Sequence, residues 1–311
     1  MADNKEELGY EIVEEDDGSR GDWDGETAEG GCSGDCEGCS GSCEGCSGSC
    51  SQQDLRAQAH PMSHVKRVIG VVSGKGGVGK SLITSLSAVM MNRKGYKTGI
   101  LDADMTGPSI PLGFGIHSRA QANSYGILPT ASAKGVGVMS VNLFLDEETE
   151  PVIWRGAIVA NTVKQFWTDV VWGDVDYLFV DMPPGTGDVP LTIFQSLPVD
   201  GIIVVASPQE LVGMIVTKAV RMAQMMDIPI LGIVENMSWF QCDKCGEKHY
   251  IYGKSRLEEA AAKYGLKILA RLPIRPDIAA AVDAGKIEDV DFPEMEEVAA
   301  GIEEALPVEK E

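Results

Sequence analysis

Eight residues, Gly74-Lys75-Gly76-Gly77-Val78-Gly79-Lys80-Ser81, constrain this chain more than any other stretch. They match the spacing G-x-x-x-x-G-K-[ST] and stand between an apolar, β-branched run at 65–73 and an amphipathic stretch at 81–94. A strand that turns through glycines into a helix leaves backbone N–H groups free to curl around phosphates, and the helix N-terminus adds a favourable dipole. In that arrangement Lys80 reaches the β- and γ-phosphates and the Ser81 hydroxyl ligates Mg²⁺.

The rest of the folded region reads as the scaffold such a loop needs. VKRVIGVVS (65–73), KTGILDAD (97–104), VDYLFVDM (175–182), GIIVVAS (201–207) and IPILGIVENM (228–237) are short, nearly continuous apolar runs. Amphipathic stretches such as 81–94 and 210–226 separate them. The pattern predicts an α/β fold, a mostly parallel sheet with helices on both faces. Helical spacing returns at 293–306. No apolar run reaches the roughly 18 residues of a membrane span, and no basic-then-apolar leader opens the sequence, so a cytoplasmic protein is expected.

The net charge of −21 sits in the tails. Residues 1–50 carry 15 acids against Lys5 and Arg20, and residues 286–311 carry 10 against Lys286 and Lys310, whereas the stretch between them is neutral. Nucleic-acid affinity comes mainly from Lys and Arg on phosphates, so this balance argues against such a partner. Composition divides the chain into a Gly/Ser/Cys-rich acidic tail at 1–61, expected to be disordered, a phosphate-loop domain at 62–290, and an acidic C-terminal helix and tail at 291–311.

Carboxylates follow the loop in a telling order. Asp102 and Asp104 end the second apolar run, and Asp181 ends the run YLFVD. Ligands bind at the C-terminal ends of strands in open α/β sheets. Mg²⁺ prefers oxygen ligands and keeps several waters, so Asp102 and Asp181 suit contacts through its water shell.

The loop, with its second lysine at Lys75, resembles the deviant phosphate loop of the MinD, ParA, ArsA and nitrogenase-reductase superfamily. That resemblance implies ATP sandwiched in a homodimer, with Lys75 reaching the partner's nucleotide, Asp104 orienting the attacking water and Asn236 contacting adenine. The run Asp181-Met-Pro-Pro-Gly-Thr-Gly-Asp188 narrows the likeness to the Mrp, or nucleotide-binding-protein, branch of iron–sulfur cluster carrier ATPases. Asp-Ala-Asp-x-x-Gly-Pro-Ser at 102–109, Trp154-Arg155-Gly156, Val234-Glu235-Asn236-Met237-Ser238 and Cys242-x-x-Cys245 agree with it. Leu82, the last residue of the nucleotide-binding set, departs from the threonine usual in the family and lacks its hydroxyl for the α-phosphate.

Cys242 and Cys245 are half of a Cys₄ site, for a structural zinc or an iron–sulfur cluster. A two-fold dimer completes it by pairing two such motifs, and the resemblance implies a bridging [4Fe–4S] cluster there, delivered to apo-protein acceptors. Cys32, Cys36, Cys39, Cys43, Cys46 and Cys50 repeat with a seven-residue period in a stretch too rich in Gly and Ser for a helix. They read as a flexible thiol ribbon, for a second cluster or metal, or as low-complexity sequence. A positioning ATPase of the MinD or ParA kind calls for a basic membrane helix or DNA-binding face, which EDVDFPEMEEVAAGIEEALPVEKE does not supply. A nitrogenase-type reductase takes single cysteines from separate loops, unlike Cys242-x-x-Cys245.

Overall fold

The computed structural model describes residues 56–310 except 105–106, 108, 145–155, 186, 210–213, 254 and 256. The six clustered cysteines at 32–50, Trp154 and Arg155 lie outside the described residues.

In chain order the strands are β1 (His64–Ser73), β2 (Thr98–Asp102), β3 (Gln121–Ala122), β4 (Ile127–Leu128), β5 (Thr130–Ala131) and β6 (Gly137–Met139). There follow β7 (Asp174–Asp181), β8 (Gly201–Ala206), β9 (Ile230–Glu235), β10 (Phe240–Gln241), β11 (Lys248–His249) and β12 (Ile268–Arg271). The helices are α1 (Lys80–Arg93), α2 (Ile110–Gly113), α3 (Gly156–Thr168), α4 (Asp188–Ser196), α5 (Met214–Met225), α6 (Leu257–Tyr264), α7 (Pro276–Asp283) and α8 (Met295–Ala305).

Eight strands form one sheet in the order β12-β9-β8-β1-β7-β2-β6-β5. Every pairing in it is parallel except β5 with β6. All five apolar runs are strands of this sheet, as their composition requires: a strand covered on both faces has no side for polar residues. Alternation divides them between two cores. Ile69, Val71, Tyr177 and Phe179 face the layer of α1, α2, α7 and α8. Val68, Val72, Leu178 and Val180 face the layer of α3, α4, α5 and α6.

The edges of the domain depart from the compositional divisions. The folded chain begins before residue 62: the Ala57 N–H donates to the Ser196 carbonyl (2.8 Å), and Trp167 Nε1 donates to the Ala57 carbonyl (2.9 Å). Composition misses this because the docking uses backbone groups and two small side chains, Ala57 and Ala59, against the α3–α4 layer. At the other end, the acidic α8 is no appendage. Met295, Val298, Ala299 and Ile302 are fully buried with α1, and the Tyr177 hydroxyl donates to the Leu306 carbonyl (2.8 Å). The acids of α8 occupy its outer face, which is why charge alone separated it from the core.

Ile302→Ala therefore costs about 2–5 kcal/mol, read as a lower midpoint in denaturant unfolding. Truncation after residue 290 collapses the cooperative transition. An unchanged midpoint in either variant would refute this account of α8.

Candidate functional site

The sheet's topology puts the glycine loop at a crevice. Strand β1 leads through α1 to β2 on one side, whereas its neighbour β7 leads through α4 to β8 on the other, and the loop follows directly from Ser73. Gly77 (φ +83°) and Gly79 (φ +85°) are in the left-handed region that glycine enters at little cost. Gly79 is needed on a second count: a Cβ there would lie 2.3 Å from Asn236 Nδ2. Helix α1 starts at Lys80 with no side chain capping its N-terminus, so its first N–H groups face the loop. The loop lines a cleft of about 340 Å³ together with Asp104, Ser109 and Pro184. Leu82 also lines it, with its side chain half-buried against the core. Uncapped N–H groups, left-handed glycines and this space fit a nucleotide's phosphates.

Parallel register brings the acids together. Asp102 and Asp181 are direct partners across β2 and β7. Lys80 Nζ lies 2.8 Å from Asp181 and 3.3 Å from Asp104. The Ser81 hydroxyl donates to Asp181 Oδ2 (2.6 Å), and the Thr84 hydroxyl donates to Oδ1 (2.8 Å). Asp102 accepts from the Ser140 hydroxyl (3.0 Å) and from the Asp104 N–H (3.2 Å). Burial pushes the Asp181 carboxyl up against the pull of Lys80. Burial, reinforced by the Asp181 charge, pushes Asp102 well above the ordinary carboxylate range. Ser81, Asp102 and Asp181 thus form an all-oxygen donor set beside the loop, which fits a hard cation such as Mg²⁺. Lys75 is exposed on the loop's outer rim.

Thr84 and Ser140 are absent from the sequence reading. Thr84 had a usable signal: it is one helical turn beyond Ser81 and so faces the same way. Ser140 had none, since its contact with Asp102 joins two strands distant in sequence.

Asn236 follows β9. Its amide donates to the Val78 carbonyl of the loop (2.8 Å). Beyond it β10 and β11 form a small antiparallel hairpin that presents Cys242 and Cys245. The Cys242 N–H donates to the Glu247 carbonyl (2.9 Å), and the chain turns back through Gly246 at φ +72°. Backbone N–H groups of Cys245 and Lys244, and then the Cys245 thiol, bring the Cys242 thiol below its ordinary value. Cys245 is exposed and Cys242 half-exposed, and among the described residues no third Cys, His or acid joins them as a metal-binding group.

Residues 64–306 match the sequence model of the ParA-type family described as NUBPL iron-transfer P-loop NTPases. The chain is 42% identical over 234 residues to a Clostridium perfringens protein named iron-sulfur cluster carrier protein, covering 73% of this chain and 82% of that one. It is 39% identical over 222 residues, 71% of each chain, to the Arabidopsis thaliana iron-sulfur protein required for NADH dehydrogenase, mitochondrial. A nucleotide-binding protein of Archaeoglobus fulgidus, solved with ADP, superposes with a TM-score of 0.67 at 40% identity, covering 73% of this chain and 90% of that one. MinD of Aquifex aeolicus shares the fold at 18% identity, with a TM-score of 0.52 over 79% of this chain and 98% of its own.

The charge knot yields a double expectation. Lys80→Met lowers ATP hydrolysis by more than about 100-fold, and it also destabilises the ligand-free protein by about 3–5 kcal/mol, because Asp181 stays buried without its cation. Thr84→Val costs about 1–3 kcal/mol through one lost hydrogen bond to the same carboxylate. Hydrolysis assays and denaturant midpoints check both. A Lys80→Met protein as stable as the parent would contradict the compensation.

Proposed function

The chain belongs to the ParA-type NUBPL iron-transfer P-loop NTPase family, and from that premise we propose that it is an ATP-hydrolysing iron–sulfur cluster carrier of the cytoplasm. Two copies hold a [4Fe–4S] cluster between them and pass it to apo-proteins. The observation that carries this reading is the pair of accessible thiols on the β10–β11 hairpin, with no third ligand beside them among the described residues. A [4Fe–4S] cluster takes four thiolates, and a two-fold axis that brings two hairpins together supplies four. The names of the curated relatives, iron-sulfur cluster carrier proteins at about 40% identity, favour a cluster over a structural zinc.

At the nucleotide end, Lys80 and the loop N–H groups hold the phosphates, and Ser81, Asp102 and Asp181 hold Mg²⁺, which supplies charge neutralisation on the phosphate oxygens. Asp104 orients the water, and Lys75 crosses to the partner's nucleotide. Asp104 is engaged by Lys80 at 3.3 Å, so it turns to water only after Lys80 turns to phosphate. That requirement suits a slow switch. ATP state then sets the dimer's geometry, and with it the exposure of the cluster.

Cys242→Ser and Cys245→Ser in the full chain each lose one cluster's worth of iron per dimer and all activation of an acceptor apo-enzyme, while ATP binding survives. Anaerobic reconstitution with iron and sulfide analysis reads this. Normal transfer by both variants sinks the carrier site. Lys75→Ala is inactive in hydrolysis alone and regains part of its activity when mixed with Lys80→Ala chains. Full activity of the lone Lys75 variant removes the composite site.

A further inference from the structure

The residues between the nucleotide loop and the cysteine hairpin form a continuous mechanical linkage, and its centre is a buried acid that the nucleotide site does not use. Glu235, at the end of β9, has no solvent exposure. One carboxylate oxygen, Oε2, accepts from the Ser238 hydroxyl (2.7 Å), and the other, Oε1, accepts from the Ser255 hydroxyl (2.5 Å). Ser238 is the entry to the loop that carries Cys242 and Cys245, and Ser255 is its exit. The Ser255 hydroxyl also accepts from the Leu257 N–H at the start of α6 (3.0 Å). Arg271 on β12 lies 3.7 Å from the same carboxylate and pairs with Glu258 on α6. A single carboxylate therefore pins both feet of the cysteine loop, and its charge is balanced from β12.

The next residue joins this clamp to the phosphate loop. The Asn236 side-chain Nδ2 donates to the Val78 carbonyl and packs over Gly79, while its Oδ1 accepts from the Met237 N–H (2.9 Å). Met237 holds φ +59°, a left-handed conformation that is costly for a non-glycine residue. The Ser238 N–H is fixed to the Leu272 carbonyl (2.8 Å) and the Asn236 N–H to the Ala206 carbonyl (2.8 Å). Val78, Asn236, Met237 and Ser238 thus run from loop backbone to hairpin foot, with the Asn236 side chain and the N–H groups of Asn236, Met237 and Ser238 all bonded. A movement of the Val78 carbonyl has little slack to absorb it before Ser238.

We infer that Glu235, with Ser238 and Ser255, is a positioning clamp that transmits the nucleotide state of the Gly74–Ser81 loop to Cys242 and Cys245. The inference rests on the carrier reading for its purpose, but its geometry stands apart from what the thiols bind. A ligand shifts a conformational equilibrium only by its differential interaction with the two states. Here the differential is which orientation of the Val78 carbonyl the bound nucleotide favours, and the clamp converts it into a hairpin position.

The test is site-resolved alkylation of the full-length protein by iodoacetamide, with the rates at Cys242 and Cys245 followed by peptide mass spectrometry with and without MgATP. In the parent, MgATP changes both rates by about threefold or more. In Ser255→Ala the change falls to nothing while MgATP affinity stays within about twofold of the parent, and Ser255→Thr, which keeps the hydroxyl, restores it. Glu235→Gln behaves as Ser255→Ala if folded. The serine pair decides the matter if Glu235→Gln does not fold, since Ser255 is only half-buried. No nucleotide effect in the parent, or an undiminished effect in Ser255→Ala, overturns the clamp. Cluster content after anaerobic reconstitution is measured on the same parent protein. Failure there removes the carrier reading and leaves the alkylation result to judge the linkage alone.

Discussion

The neutralisation of Asp181 at the end of the central strand is the interaction on which the rest of the structure depends. A carboxylate with no solvent exposure is costly unless it is paired and fully hydrogen-bonded. Here Lys80, Ser81 and Thr84 all converge on it from the first turns of α1. That convergence fixes the pitch and rotation of α1 against β7. It thereby fixes the loop, whose left-handed glycines must bridge β1 to a helix already held in place. Asp102, forced up by burial and by the neighbouring Asp181 charge, is the unfavourable remainder of the arrangement. A site that leaves buried carboxylates under-compensated gains most when a cation arrives, so stability is held back in the ligand-free protein where binding can recover it.

A second buried acid does comparable work at the end of β9, three strands away in the sheet. Glu235 and Asp181 are both strand-end carboxylates with no exposure, and both accept from two hydroxyls. Their surroundings differ. Asp181 lies beneath Lys80 and Ser81, which line a cleft large enough for a ligand, whereas Glu235 is enclosed by Ser238, Ser255 and Arg271. Distinguishing the two roles takes the space around each residue, since both sit at the same place in their strands.

That difference marks how far the sequence could be read. The glycine loop, the five apolar strands and the order of Asp102, Asp104 and Asp181 were legible, because each is a local pattern with a local cause: close backbone turns, two-sided burial, acids at strand ends. The resemblance to the Mrp branch rested on residues of the same local kind, and the family match over 64–306 agrees with it. What sequence could not supply are the contacts that join distant segments. Ser140 on Asp102, Ser255 on Glu235 and Ala57 on Ser196 involve common residue types whose neighbours in sequence carry no mark of the partner. Charge misled at α8, where an acidic outer face concealed a fully apolar inner one. The short strands β5 and β6 escaped because two or three residues cannot display a period.

The exposure of the cysteine hairpin follows from the chemistry of a half-filled ligand set. Two thiolates buried in one chain would leave a metal centre short of donors, and no neighbouring group among the described residues could complete it. On the proposed reading, holding them at the surface leaves the remaining positions to a second molecule. Tyr250, Ile251 and Tyr252 continue the hairpin and are all exposed, an unusual concentration of apolar surface beside two polar ligands. On the proposed reading a second copy covers this patch, and a two-fold contact presents the same patch from both sides. Cluster, apolar contact and the shared nucleotide site would then favour one association. On that reading each would strengthen the others by mass action, so a modest change at the phosphate-loop end of the clamp would suffice to bias release at the hairpin.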